Sequence, residues 1–172
     1  VWSTMATRQH VALDVCAAYA GRNETDDLTA LVSLLRTQSR LPVMIDSTRP
    51  EAIEAALRQH PGRCIINSIN LEDGGATLDR VCTLARRYGA AVVALTIHED
   101  GMALTVADKV ATAKRIHARA VGHHGLRPAD LLFDALTFTI GSGDASLRNA
   151  AAATLEAIRR IKEELPGVGT VL

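Results

Sequence analysis

No apolar run in this 172-residue chain approaches the roughly 20 residues that a helix needs to cross a bilayer, so no helical membrane span is expected. The opening residues Val1-Trp2-Ser3-Thr4-Met5 lack the basic-then-apolar layout of a secretory leader. No charge of one sign dominates: Lys plus Arg and Asp plus Glu are 19 each. Such a chain has no bulk field to draw in nucleic acid or a membrane surface, so its ligand should be recognised by local geometry. Its three cysteines, Cys16, Cys64 and Cys82, form no C-x-x-C pair, and an odd count argues against a disulfide framework. Two of them sit in apolar, strand-like runs, and buried, reduced thiols are expected. No linker or low-complexity segment divides the chain. The expectation is one domain over residues 1–172 in a cytoplasmic protein.

What the chain does have is alternation. Short apolar runs at about 11–16, 42–46, 64–68, 90–97 and 131–136 predict strands, mostly rich in β-formers. They are continuous rather than alternating, as for parallel strands covered on both faces. Between them, amphipathic stretches predict helices at about 26–37, 50–59, 77–88, 106–123 and 146–165. Pro50 suits a first helical turn, where a missing N–H is harmless. Thr105 and Asp108 resemble a capping box. Leu155, Ile158, Ile161 and Leu165 form one predicted apolar stripe, which Pro166-Gly167 stops. Strand–helix alternation means an α/β fold, and both an open doubly wound sheet and a closed barrel fit it. Neither a G-x-G-x-x-G turn after the first strand nor a Walker A loop is present, which lowers a nucleotide-binding reading. Thr170-Val171-Leu172 reads as a strand at its beginning, and a complete barrel takes roughly 250 residues. The domain is therefore expected to be truncated at both ends.

Three polar residues end three strands. Val43-Met44-Ile45 runs into Asp46, Cys64-Ile65-Ile66 into Asn67, and Leu131-Leu132-Phe133 into Asp134. The carboxyl ends of parallel strands face one side, where ligands bind. Two carboxylates and a carboxamide would converge there on a ligand edge rich in N–H donors, because a carboxylate accepts two parallel N–H bonds. A pterin, with its 2-amino group and N3–H, meets that description. Asp46 or Asp134 could equally cap a following helix or turn, and spacing alone does not single out a pterin.

The runs Pro42-Val43-Met44-Ile45-Asp46-Ser47-Thr48, Ile65-Ile66-Asn67-Ser68-Ile69-Asn70, Arg86-Arg87-Tyr88-Gly89-Ala90-Ala91-Val92-Val93 and Leu131-Leu132-Phe133-Asp134 are more specific as a set. With Leu13-Asp14-Val15-Cys16, Gly21-Arg22-Asn23-Glu24 and the closing run from Ile158 to Pro166, they resemble the pterin-binding (folate) domain of the cobalamin-dependent methionine synthases. The likeness extends from about residue 8 onward. It implies a TIM-type (β/α)8 barrel shared with dihydropteroate synthases and corrinoid methyltransferases, here lacking the first strand and most of the last two. It also implies that Asp134 takes the 2-amino/N3 edge of the pterin, with Asp46 and Asn67 on other ring nitrogens. Asp14, also late in a strand, is a further candidate, or else a partner for the loop through Arg22.

The substrate so implied is N5-methyltetrahydrofolate, whose methyl group passes to cob(I)alamin. The cobalamin belongs to another module of the same polypeptide, and the family's zinc to an absent homocysteine domain. The family asparagine beside N5 follows a Gly-Val-Ser that this sequence does not reach. The likeness thus implies no catalytic residue in this stretch, and no methyl transfer by it alone. Two departures bear on loop geometry: Ala135 where proline is common, and His98 where an acidic residue is usual beside Glu99. The rival readings are another pterin-barrel enzyme, such as a dihydropteroate synthase or a stand-alone corrinoid methyltransferase, and a non-catalytic pterin-binding or open-edged interaction module.

Other signals read plainly. His123-His124 at a helix end should be solvated or favoured by the helix dipole rather than metal-binding. Gly141-Ser142-Gly143-Asp144 is expected to be a turn near the folate site rather than a phosphate cradle. Arg86 and Arg87 beside Tyr88 should be a solvated helix end rather than a nucleic-acid patch. Ser47 and Ser68 have no partners that would make them nucleophiles.

Overall fold

Strand order decides what the sequence pattern left open. A computed structural model describes residues 12–137 and 149–172. The Gly141–Asp144 turn, the expected start of the last helix at Ser146 and the beginning of the first strand at Val11 lie outside the described residues. In chain order the strands are β1 (Leu13–Cys16), β2 (Val43–Asp46), β3 (Ile65–Ile69), β4 (Ala91–Leu95), β5 (Ile97–His98), β6 (Gly101–Met102), β7 (Leu131–Asp134) and β8 (Gly169–Val171). Six of them form one wholly parallel sheet in the order β1-β2-β3-β4-β7-β8. A doubly wound sheet reverses its strand order at a switch point, whereas this one runs monotonically from first strand to last.

The helices agree. They are α1 (Glu24–Gln38), α2 (Pro50–Leu57), α3 (Ala76–Tyr88), α4 (Val106–His117) and α5 (Ala150–Glu164). Helix α1 packs on α2, α2 on α3, and α4 on α5, while the π-helical turn that prolongs α4 (Ala118–His123) reaches α3. Right-handed crossovers taken always in the same direction put every helix on one face. The result is an arc of a (β/α) barrel. No helix among the described residues is long and apolar enough to cross a membrane.

The core lies between that face and the helices. Val15, Val43, Ile45, Ile66, Leu131 and Phe133 are buried there against Leu28, Ile53, Leu78 and Ile116. Each such side chain contributes on the order of 1.5–3 kcal/mol. The opposite face carries Asp14, Met44, Asp46, Asn67, Leu132 and Asp134, all partly or fully exposed. Strands β2 and β7 therefore alternate buried and half-buried residues, where the sequence predicted coverage on both sides. Only β4 is buried almost throughout. The same alternation corrects Cys16. Val15 points under the helices, so Cys16 falls on the open face and is exposed, while Cys64 and Cys82 are buried and all three are free thiols.

Local chemistry sets the helix ends. Asn23 caps α1 by accepting the Thr25 N–H, with Glu24, Asp26 and Asp27 in the first turn, so α1 begins two residues before the predicted start. Pro50 opens α2 and Thr105 caps α4 through the Asp108 N–H, both as expected. Gly89, with φ of 68°, closes α3. Of the predicted apolar stripe of α5, Ile161 and Leu165 are buried and Ile158 packs against the core, but Leu155 is 67% exposed, and Ala150, Thr154 and Ala157 complete the inward face in its place. The predicted strand 90–97 also divides. After Leu95 the chain leaves the sheet at Thr96 and turns back as the β5–β6 hairpin.

One of the surface expectations changes as well. His124 is not a solvated helix end: its Nε2 lies 2.8 Å from Asp79 Oδ1, in a carboxylate that Arg119 also grips at 2.7 and 2.6 Å. Arg86 and Arg87 are exposed at the end of α3, as predicted, and Tyr88 donates to Glu54 at 3.1 Å.

Candidate functional site

Strand register places the predicted residues. Residues paired across parallel strands share a sheet face. Cys16 pairs with Asp46, Asp46 with Asn67, and Asn67 with Val93, so three of these four are neighbouring polar or thiol groups along one row. Val93 then pairs with Leu132 and Leu95 with Asp134. Asp134 thus lies on the same face, two residues further along its strand. A stagger of this kind is what strand tilt in a barrel produces. Asp46, Asn67 and Asp134 all sit toward the carboxyl ends of their strands, on the face free of helices. Beside Asn67 the register slips at a bulge, and the strand resumes pairing at Ile69. The loops beyond β2 and β3 border an open groove of about 170 Å³ lined by Thr48, Ser68, Asn70, Glu72, Asp73 and Thr77.

Asp46 sits among acids. Burial first, and then the negative charges of Asp14 and Glu24, push its carboxyl above the usual range, while a hydrogen bond from the Cys16 thiol works the other way. Asp14 is on the same face, paired with Met44. The loop partner of Arg22 is not Asp14: Arg22 grips Asp27 with two bonds of 2.5 Å. No role was expected for Glu24, and Ser47 was expected only to lack the partners of a nucleophile. Both are buried, and the Ser47 hydroxyl donates to the Glu24 carboxylate while accepting the Arg49 N–H, which ties the β1–α1 loop to the end of β2.

Asp134 divides its two oxygens. Its Oδ1 accepts the Leu136 N–H at 2.7 Å, so the turn-capping alternative holds for that oxygen. Leu136 adopts φ of 54°, a left-handed conformation that costs a non-glycine residue about 1–2 kcal/mol. Four bonds hold the turn there. Besides Asp134, Thr154 Oγ1 donates to the Leu136 carbonyl at 2.7 Å, and Lys109 Nζ donates to the carbonyls of Ala135 and Leu136 at 2.5 and 3.1 Å. Lys109 has no exposed surface at all. Burial lowers its pKa, and the charge of Asp134 opposes that shift. Lys109 too was missed, although it occupies an inward position of α4 between Val106 and Val110, where an apolar residue would be expected.

A profile described as pterin binding enzyme matches residues 7–171. Methionine synthase of Mycobacterium tuberculosis is 44% identical over 163 residues, covering 93% of this chain and 14% of that protein. The Mycobacterium leprae methionine synthase is 43% identical over the same length. This chain thus spans 14% of the length of these relatives. Among solved structures, dihydropteroate synthase from Xanthomonas albilineans in complex with 7,8-dihydropteroate is similar with a TM-score of 0.63 at 21% identity, over 92% of this chain and 57% of that one. The Thermus thermophilus dihydropteroate synthase gives 0.61 at 23% identity, over 92% of this chain and 58% of that one. At such identities the likeness is one of fold.

Proposed function

The chain belongs to the family of pterin-binding enzymes, and on that premise we propose that it binds N5-methyltetrahydrofolate as part of a cytoplasmic cobalamin-dependent methionine synthase. The reading rests above all on one observation: Asp46, Asn67 and Asp134 share the open face of the sheet at the carboxyl ends of their strands. In this reading the free oxygen of Asp134 accepts the 2-amino and N3 donors of the pterin. The Asn67 carboxamide, which can both donate and accept, suits the neighbouring ring acceptor N1 and donor N8–H. Asp46 shares that side of the ring, with Asp14 behind it. The identity to methionine synthases, twice that to the dihydropteroate synthases, favours methyl transfer over pteroate synthesis.

In this role the chain's residues bind and orient. They hold the ring so that the N5 methyl group faces out of the barrel mouth, and convert a bimolecular encounter into an oriented one. Cobalamin, on another module of the same polypeptide, would supply the methyl-accepting nucleophile, and zinc would belong to a homocysteine-binding module. A tertiary amine leaves poorly unless protonated or strongly hydrogen-bonded. None of Asp14, Asp46, Asn67 and Asp134 is assigned that task.

The test is calorimetric titration with N5-methyltetrahydrofolate and, separately, with a hydroxymethyldihydropterin pyrophosphate. Saturable binding of the folate, tighter than that of the pyrophosphate, is expected. Binding of the pyrophosphate alone would favour a dihydropteroate synthase and overturn the proposal.

A further inference from the structure

We propose that Lys109 is a positioning residue for the pterin site, its buried ammonium fixing the Asp134–Leu136 turn and setting a positive charge behind the Asp134 carboxylate. Two observations make a purely structural role insufficient. An ammonium withdrawn from water is unfavourable unless its donors are met and its charge is balanced, and methionine or leucine would fill the same inward position of α4 without that burden. Secondly, two of its donors go to one place. The carbonyls they meet, those of Ala135 and Leu136, belong to the two residues that directly follow Asp134. That same two-residue turn carries the left-handed Leu136, the bond from Leu136 N–H to Asp134 Oδ1, and the bond from Thr154.

The consequence for recognition follows from the division of Asp134's oxygens. With Oδ1 fixed on the Leu136 N–H, the carboxylate plane is set and Oδ2 is left to face the cleft. A cation behind the group adds to the turn's hold on the carboxylate that faces a two-donor ligand edge. Lys109 thereby acts on the pterin through Asp134 without touching it. This rests on the reading that Asp134 takes the 2-amino/N3 edge.

The test compares two ligands, N5-methyltetrahydrofolate and its analogue with the 2-amino group replaced by methyl. Their Kd ratio is measured for the wild-type chain, Lys109→Met and Thr154→Val. The wild type should favour the amino compound. In Lys109→Met that preference should fall by about tenfold or more, with affinity for the methyl analogue changed less than about threefold, because Asp46 and Asn67 keep their contacts. A general loss of structure would weaken both ligands equally, and an unchanged ratio in a folded Lys109→Met protein overturns the proposal. If circular dichroism shows that variant unfolded, Thr154→Val decides, since it loosens the same turn without touching the lysine. A ratio reduced by about threefold supports the proposal, and an unchanged one overturns it. A wild type that binds folate without preferring the amino compound refutes the role of Asp134, and this inference falls with it.

Discussion

Replacing Asp134 by asparagine separates its two duties. The asparagine carbonyl can still accept the Leu136 N–H that Oδ1 accepts at 2.7 Å, so the turn should survive. Facing the ligand, however, an acceptor oxygen gives way to an NH2 group that meets the pterin's own donors. The loss is that of a charge-assisted contact, with donors left unpaired in the cleft, on the order of 2–3 kcal/mol. That corresponds to roughly 30–150-fold in Kd. Removing the charge also deprives buried Lys109 of a favourable neighbour, and folding stability should fall by about 1 kcal/mol. Asp134→Ala should cost more stability, because it frees the Leu136 N–H and with it a backbone held at φ of 54°. Titration calorimetry with N5-methyltetrahydrofolate gives the affinities, and urea denaturation gives the stabilities. An Asp134→Asn protein that binds within threefold of wild type would refute the assignment of this residue.

Asp46 should oppose folding where it favours binding. Its folded pKa is raised by burial and by Asp14 and Glu24, so the folded chain holds more protons than the unfolded one above the unfolded carboxylate pKa of about 3.9. Stability from this group is therefore full at low pH and declines as pH rises through its folded pKa. Asp46→Asn should raise the unfolding free energy at pH 7 by about 0.5–1 kcal/mol once solvent screening is allowed for, and the urea midpoint with it, while weakening folate binding. A midpoint lowered at pH 7 would contradict this. Asp79 has the opposite sign, since Arg119 foremost and then His124 hold its carboxyl well below the usual range. Its contribution is present above pH of about 4 and fades on acidification. Asp79→Asn should cost about 1 kcal/mol at pH 7 and little at the acid end, and equal losses at both pH values in urea melts would sink the idea. Of the thiols, Cys16 should react first with an alkylating probe, since burial pushes Cys64 up to about 11 and Cys82 up to about 12. Bound folate should slow that reaction beside Asp46, and mass spectrometry that finds Cys64 or Cys82 modified first in native protein would contradict it.

The residues that end strands were legible because an apolar run that stops at an acid or amide is a local pattern. Asp46, Asn67 and Asp134 needed only the rule that parallel strands share a carboxyl end. What local pattern cannot carry is long-range order. The α/β alternation suited barrel and open sheet alike, and only the monotonic order of strands and the single helical face separate them. Leu155 shows the limit of periodicity: an apolar residue one position from the stripe scores like a member of it, yet Ala157 and Thr154 make the contact. Cys16 failed for a related reason, since hydrophobic runs do not reveal which face a partial barrel leaves open. Lys109 and Glu24 were hidden because charge predicts exposure. Their burial depends on partners far away in sequence, Ala135 and Leu136 for the lysine and Ser47 for the glutamate.

The central claim is that one pterin ring is held jointly by three strand ends. A crystal structure of the chain with N5-methyltetrahydrofolate tests it most directly. The ring should lie over the carboxyl ends of β2, β3 and β7, with its 2-amino edge on the free oxygen of Asp134 and its other nitrogens within hydrogen-bond reach of Asp46 and Asn67. A folate bound at the opposite end of the strands, or held by none of these three side chains, would contradict the account.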